Sequence, residues 1–314
     1  MYNYNLLSYT SFNRIKLSKT KKGEIVILPR FQFLEPETFE EVQHLVEKNK
    51  GDAVLMAGGT DLLVNLKRKI INAKIVISLE KISALKQVHY TEAAGLTLGS
   101  MVTISELAET PIIKQKFPLL ATAASKIGSP QIRNRATIGG NICTARPAGD
   151  TIGPLIAYGA EVQLVLGKES RWEPISQFII GPGKTIRKDG EVLAAIRIKP
   201  FPANTGVSYI KYGVRKAMEI AMVSVTTALT FNGDKCEKAI IVLGAVAPTF
   251  IRSNDAEESL ISRKVTLPVA EQAAGMAAAC CRPITDARAS AEYRRDLIKV
   301  LTKRGILEAA AKRN

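Results

Sequence analysis

Cysteine, histidine and tryptophan are scarce in this chain: four, two and one in 314 residues. None of the cysteines, Cys143, Cys236, Cys280 and Cys281, belongs to a C-x-x-C pair, and neither His44 nor His89 lies beside one. An iron–sulfur cluster needs about four thiolates at regular spacing, and zinc-type sites gather Cys with His. The sequence therefore offers no metal centre. The adjacent Cys280 and Cys281 follow the small-residue run 273–279 and read as buried thiols, which pack as small hydrophobes. No apolar run approaches the roughly 20 residues of a membrane helix. Residues 1–7 carry neither the apolar core nor the cleavage pattern of a signal peptide, so the expectation is a cytoplasmic protein. A nucleophile or acid–base constellation is missing as well, His89 sitting in a weak strand away from the Gly-rich loops.

Acidic residues are outnumbered, 29 against 44 basic ones, for a net charge of +15. Before Glu24 the chain carries Arg14, Lys16, Lys19, Lys21 and Lys22 and no acid; Lys67-Arg68-Lys69 and Lys303-Arg304 are smaller clusters. Basic tails bind phosphate backbones without sequence preference. Yet no aromatics are interleaved with these charges as single-strand platforms require, and no helix-turn-helix or zinc-finger spacing occurs. The runs read as solvated or partner-facing surface. The 46% hydrophobic content is that of a globular protein with a sizeable core, and the length suits about two domains.

What the chain does have is two Gly-Gly loops about eighty residues apart. The first, Ala57-Gly58-Gly59-Thr60-Asp61, follows the apolar run 53–57 and precedes the helix-like run 61–67. Glycine backbone amides at such a strand-to-helix turn form a concave, partly positive nest that suits phosphate. It is neither a Walker loop, since no Gly-Lys-Ser/Thr follows, nor the G-x-G-x-x-G of a Rossmann crossover. Taken alone, it also reads as a tight turn with Thr60 or Asp61 as helix cap.

The second loop, Thr137-Ile138-Gly139-Gly140-Asn141, lies in a stretch from Gly128 to Asp150 with little helical or strand period. Ordering such small and polar residues costs entropy while burying little apolar surface, and long irregular loops are usually functional. Thr137 and Asn141 suit phosphate or ribose, and Asp150, nine residues beyond Asn141, suits ribose hydroxyls. Two nests brought together would grip a pyrophosphate from both sides, which points to a dinucleotide.

These motifs, with Gln131-Ile132-Arg133-Asn134 and Pro147 between and after them, resemble the FAD-binding subunit of the molybdenum hydroxylases, the xanthine dehydrogenase and aerobic carbon monoxide dehydrogenase family. The resemblance continues through Gly181-Pro182-Gly183-Lys184-Thr185, Glu191-Val192-Leu193 and Tyr209-Ile210-Lys211, from about residue 27 to 309. It implies that Leu55, Met56, Ala57, Gly58, Gly59, Thr60, Asp61 and Leu62 wrap the pyrophosphate of FAD. Thr137, Gly140 and Asn141 would complete the grip, with Thr144 nearby. Asp150 would hold a ribose hydroxyl, Leu193 would lie beside the flavin, and Lys211 would reach the flavin region. Ile127 stands where some relatives place an aromatic ring, and Arg146 where relatives more often carry Ser.

The resemblance further implies an α+β fold. An FAD-binding domain of the vanillyl-alcohol-oxidase/PCMH type, in two parts, precedes a small domain with a three-stranded antiparallel sheet and helices. The expected division is a basic extension over 1–24, the FAD-binding domain over 25–202, and a C-terminal flavoprotein domain over 203–314, the Pro-rich turn near Pro200 marking the boundary. Thr38 is expected to cap a helix running to Lys48, and Thr103 with Glu106 to form a capping box. Strands are expected at 75–78, 96–100, 160–166, 207–213, 222–231 and 239–247, and helices at 269–281 and 290–301.

The function so implied is electron transfer through FAD to an external acceptor. The molybdenum cofactor and [2Fe-2S] clusters would sit on a large molybdopterin-binding subunit and a small iron–sulfur subunit, in a heterotrimer or dimer of heterotrimers. Lys211 and the pair Arg215-Lys216 would stabilise negative charge on reduced flavin. The contrasting reading is a basic nucleotide- or nucleic-acid-binding protein that uses the Gly-Gly loops for phosphate without redox chemistry.

Overall fold

The computed structural model describes residues 28–215 and 217–313. The basic extension over 1–24 and Lys216 lie outside the described residues. The first sheet is parallel, with strands Gln32–Leu34 (β1), Ala53–Met56 (β2) and Ile75–Ser78 (β3) in the order β1-β3-β2. Parallel pairing requires crossovers; the helix Phe39–Lys48 supplies the first and Leu62–Lys67 the second. Thr38 Oγ1 accepts the Glu41 amide at 3.2 Å, the cap expected for the first of these helices.

A five-stranded antiparallel sheet follows. Its members are Val88–Thr91 (β4), Gly95–Gly99 (β5), Glu161–Leu166 (β6), Glu169–Pro174 (β7) and, after the hairpin Ile179–Gly181 (β8) and Lys184–Thr185 (β9), Val192–Ile198 (β10). The order is β4-β5-β10-β6-β7. Alternation along β6 turns Val162 and Leu164 inward, where they join Leu96, Leu98, Ile196, the helical residues Ile104, Leu107 and Leu120, and the interhelical Phe117 in one core. Thr103 caps the helix Ile104–Glu109 through the full capping box with Glu106.

The C-terminal sheet contains Thr205–Tyr212 (β11), Val223–Asn232 (β12), Lys235–Gly244 (β13) and Ile251–Arg252 (β14), paired antiparallel in that order. Three long strands match the expected sheet. The fourth has two residues, too short to leave a periodic signal. One face of β12, with Val223, Val225, Leu229 and Phe231, packs under the helices Leu267–Ala279 and Ala291–Ala311. The other face adds Ala228, with Ile240, Val242 and Tyr209, to the core of the preceding sheet. The two regions thus share apolar packing, and every residue of β12 before Asn232 is buried.

Two expectations are corrected. The C-terminal helix runs through Gly305 to Ala311 instead of stopping near 301. The stretch from Gly128 to Asp150 is not irregular: it forms the helices Pro130–Arg133 and Ile138–Thr144, each capped by the hydroxyl of Ser129 or Thr137.

Two helical glycines make opposite predictions. A methyl group at Gly275 meets nothing within 4 Å, whereas one at Gly305 comes within 2.9 Å of the fully buried Thr227 Oγ1. Gly275→Ala is expected to stabilise by about 0.5–1 kcal/mol through helix propensity. Gly305→Ala is expected to destabilise by about 1–3 kcal/mol through overpacking. Urea midpoints of the two variants, measured with unchanged m-values, check both signs.

Candidate functional site

A cleft of about 1090 Å³ opens between the parallel sheet and the end of the five-stranded sheet where β6 finishes and β10 begins. That volume is in the range of sites that take a large organic ligand. The C-terminal end of β2 and the first Gly-Gly loop form one wall, and the second Gly-Gly segment forms another. The 166–169 turn, Gly183, Arg187, Asp189, Gly190, Val192 and Leu193 line much of the remainder.

The first loop is the nest that its sequence suggests. The amides of Gly58, Gly59, Thr60, Asp61 and Leu62 donate to no acceptor among the described residues. Asp61 stands at the N-cap of the helix Leu62–Lys67 yet makes no side-chain cap bond, so its carboxylate does not consume them. Gly59 adopts φ +74°, a left-handed conformation that aims successive amides to one side. Backbone donors are rarely left unpaired, and a row of them on a cleft wall calls for an anionic acceptor.

Gly58 has a second role. A Cβ on it would lie 1.8 Å from the carbonyl oxygen of Arg135, just before the second Gly-Gly segment. The two loops are therefore in backbone contact, and Gly140 faces Ala57 across the same junction.

The second segment behaves differently from a nest. Gly139 N donates to Ser100 O at 2.9 Å, Gly140 N to Thr137 Oγ1 at 3.1 Å and Asn141 N to Thr137 O at 3.0 Å. Its amides are spent on capping and on seating the helix against β5. What this side presents to the cleft is side chains. The Thr137 hydroxyl, accepting from Gly140, keeps its proton to donate. Asn141 accepts a 2.7 Å bond from Thr151 on Oδ1, which leaves Nδ2 as its open end. Thr144 donates to Gly140 O at 2.7 Å within its own helix.

Of the residues expected at the site, the structure brings Leu55, Ala57, Gly58, Gly59, Thr60, Asp61, Leu62, Thr137, Gly140, Asn141, Thr144 and Leu193 onto the cleft. Met56, Ile127, Asp150 and Lys211 do not line it. Met56 props the loop from beneath, its sulfur 3.2 Å from where a Gly59 Cβ would stand. Ile127 is packed in the core, its carbonyl held by Arg133 at 3.0 Å. Asp150 is buried, with one oxygen accepting from Tyr209 Oη and the other from Lys211 Nζ, both at 2.7 Å. Burial pushes its carboxyl up, and the adjacent Lys211 ammonium and Tyr209 hydroxyl pull it back. In this structure the pair neutralises itself between β11 and the 145–151 segment. Arg215 is likewise engaged, with Glu219 at 2.9 Å.

Sequence reasoning missed several cleft residues. Gln43 reaches from its helix to Val165 O and Gly190 O at 3.4 Å, and Arg187 and Cys143 also line the cleft, beside the exposed Arg146 already singled out in the sequence. Burial pushes the Cys143 thiol up, with Arg187 opposing. The Gly183 and Glu191-Val192-Leu193 motifs were the available signal for the 183–193 wall. That wall is clamped by Glu191, 3% exposed, which takes Arg171 in a two-pronged bond at 3.0 and 3.1 Å and the Lys188 amide at 2.7 Å. Arg187 closes the clamp on the Glu191 carbonyl at 2.8 Å. A shift in the ladder between Leu193 and Ala195 bends β10 beside the cleft.

A family model described as the FAD binding domain in molybdopterin dehydrogenase matches residues 29–202, and one described as the CO dehydrogenase flavoprotein C-terminal domain matches 208–309. A putative xanthine dehydrogenase FAD-binding subunit of Escherichia coli is 32% identical over 260 residues, 82% of this chain and 89% of that protein. The carbon monoxide dehydrogenase medium chain of Hydrogenophaga pseudoflava is 31% identical over 289 residues, 91% of this chain and 99% of that one. Among solved structures, carbon monoxide dehydrogenase from Hydrogenophaga pseudoflava superposes with a TM-score of 0.88 at 31% identity, over 92% of this chain and 100% of that chain. Quinoline 2-oxidoreductase from Pseudomonas putida 86 gives 0.86 at 27% identity, over 91% and 98%.

The Glu191 clamp has a pH signature. Burial works against the Glu191 carboxylate, but the Arg171 and Lys188 bonds prevail and hold its pKa below the usual value. A depressed folded-state pKa contributes stability above the unfolded value, about 4.3, and that stability is lost as pH falls through the folded value. Urea midpoints taken from about pH 6 down to about pH 3 should fall less steeply for Glu191→Gln than for the wild type.

Proposed function

The chain belongs to the flavoprotein family of the molybdopterin dehydrogenases, and from that premise we propose that it is the FAD-bearing electron-transfer subunit of a molybdenum hydroxylase-type dehydrogenase. The observation that carries the reading is the row of open amides from Gly58 to Leu62 facing Thr137 and Asn141 across the cleft. Hydrogen-bond donors on both walls fit a pyrophosphate, and a cleft that continues well past them to Val192 and Leu193 has room for the rest of a dinucleotide.

On this reading Gly58, Gly59 and Thr60 hold the pyrophosphate through their backbone, while Leu55, Ala57, Asp61 and Leu62 shape that wall. Thr137 and Asn141 donate from the other side, with Gly140 and Thr144 forming the helix that carries them. Leu193 supplies an apolar contact. Asp150, Lys211, Ile127 and Met56 act from behind this surface. FAD, when bound, supplies one-electron and hydride chemistry; the chain supplies position, charge and exclusion of water.

The remaining redox centres, a molybdenum cofactor and [2Fe-2S] clusters, belong to partner subunits. The names of two relatives, medium chains of carbon monoxide and glyceraldehyde dehydrogenases, support a complex with a large and a small subunit. We assign this chain to such a complex in the cytoplasm, a heterotrimer or dimer of heterotrimers that delivers electrons to an external acceptor. Among the described residues, no helix is long and apolar enough to cross a membrane. We take the FAD-binding domain as 25–202 and the C-terminal flavoprotein domain as 203–314. The nucleic-acid reading has no comparable support, since the relatives are FAD subunits of dehydrogenases.

The purified chain should show flavin absorbance and release about one FAD on denaturation, as one open nest per chain implies. Gly58→Ala drives a Cβ into the Arg135 carbonyl, so it should weaken FAD binding at least about tenfold, as expected when a close backbone approach is lost. A colourless wild type that takes up no added FAD, yet binds polynucleotide in a steeply salt-dependent way, would reverse the reading.

A further inference from the structure

The hydrogen-bonding direction of Asn141 is fixed from behind the cleft. Thr151 is fully buried, and its Oγ1 donates to Asn141 Oδ1 at 2.7 Å. A free carboxamide can turn either its carbonyl or its amine toward a ligand. Here the carbonyl is committed, Nδ2 has no acceptor among the described residues, and Asn141 lines the cleft. The side chain is thereby set as a donor, which suits ribose or phosphate oxygens and disfavours cationic or donor groups.

Thr151 is itself held. It directly follows Asp150, whose two oxygens are taken by Tyr209 Oη and Lys211 Nζ at 2.7 Å each. Lys211 Nζ also donates to Lys126 O at 2.9 Å, and Lys126 Nζ to Tyr209 O at 3.1 Å, so the cross-link is doubled. Tyr209 and Lys211 lie on β11 of the C-terminal sheet, whereas Asp150, Thr151 and Asn141 lie in the preceding region. A continuous path therefore runs from β11 through Asp150 and Thr151 to the donor on the cleft wall.

We propose that Thr151 is a positioning residue of the cofactor cleft, aiming the Asn141 amine at the bound FAD. The Tyr209–Asp150–Lys211 group holds Thr151 in place, so that FAD affinity depends on how the C-terminal sheet is seated. The proposal rests on the FAD reading above.

The test is a thermodynamic cycle on the full-length chain, with FAD affinity followed by flavin fluorescence and folding by melting temperature. Thr151→Val keeps the shape and removes the hydroxyl; it should weaken FAD binding by about tenfold, the order of one oriented hydrogen bond to a charged acceptor. Thr151→Ser should restore affinity to within about twofold. In an Asn141→Ala background, Thr151→Val should cause no further loss, because coupled residues are non-additive. Tyr209→Phe should weaken FAD binding by a smaller factor, and that loss too should vanish with Asn141→Ala. If Thr151→Val does not fold, the Tyr209→Phe and Asn141→Ala cycle decides the matter alone. Unchanged affinity in Thr151→Val, or equal losses with and without the Asn141 side chain, overturns the proposal and leaves the FAD reading intact. A wild type that binds no FAD overturns both.

Discussion

Everything at the cleft depends on a backbone-to-backbone approach. Gly58 lies so close to the Arg135 carbonyl that no side chain fits between them. This contact sets the spacing between a loop on the parallel sheet and a helix seated on the antiparallel sheet. Gly139 repeats the device one layer down, where a Cβ would come within 2.6 Å of Ser100 Cβ. The glycines therefore have two distinct roles. Gly59 supplies a conformation, and Gly58 and Gly139 supply proximity. Only the first loop keeps its amides free for a ligand, so the cleft has one wall of backbone donors and one wall of side-chain donors.

The charges near the site follow the same division. Asp150 and Lys211 are costly to bury separately, and the pair is tolerated because each carboxylate oxygen accepts a bond and the ammonium makes two. Their bonds cross from one region of the chain to the other, and the pair serves as a pin behind the cleft surface. At the opposite wall, the Glu191 carboxylate takes the Arg171 guanidinium and the Lys188 backbone amide, while the Glu191 carbonyl takes Arg187. A strongly basic chain thus spends part of its surplus charge on fixing the frame of the cleft.

Local signals were the most legible part of the sequence. Thr38 and Thr103 announced their helices because a cap is a bond between residues three apart. Ile75–Ser78 and the three long C-terminal strands followed from apolar alternation and runs. The helix Ile138–Thr144 was hidden because Gly139, Gly140 and Asn141 are poor helix formers; the Thr137 cap and the seat on Ser100 override that preference. Gly305 hid the end of the last helix in the same way, although it is there to clear Thr227. The two Gly-Gly motifs marked two walls of the cleft in sequence, but the fate of Asp150 was beyond reading. Its partner is 61 residues away, and only the packed strand β11 brings them together.

The burial of β12 on both faces has a consequence for how the chain comes to be folded at all. Its apolar side needs the two C-terminal helices and its other side needs the core of the antiparallel sheet. Neither region can complete its interior while the other is still unstructured. On the ribosome, the earlier region must wait with an unfinished core until β11, β12 and β13 emerge to supply Tyr209, Ala228, Ile240 and Val242, a vulnerable interval for a chain that assembles in order of synthesis. Covalent continuity is then a kinetic asset: a severed C-terminal piece would have to find its place by diffusion, whereas the tethered one arrives at high effective concentration.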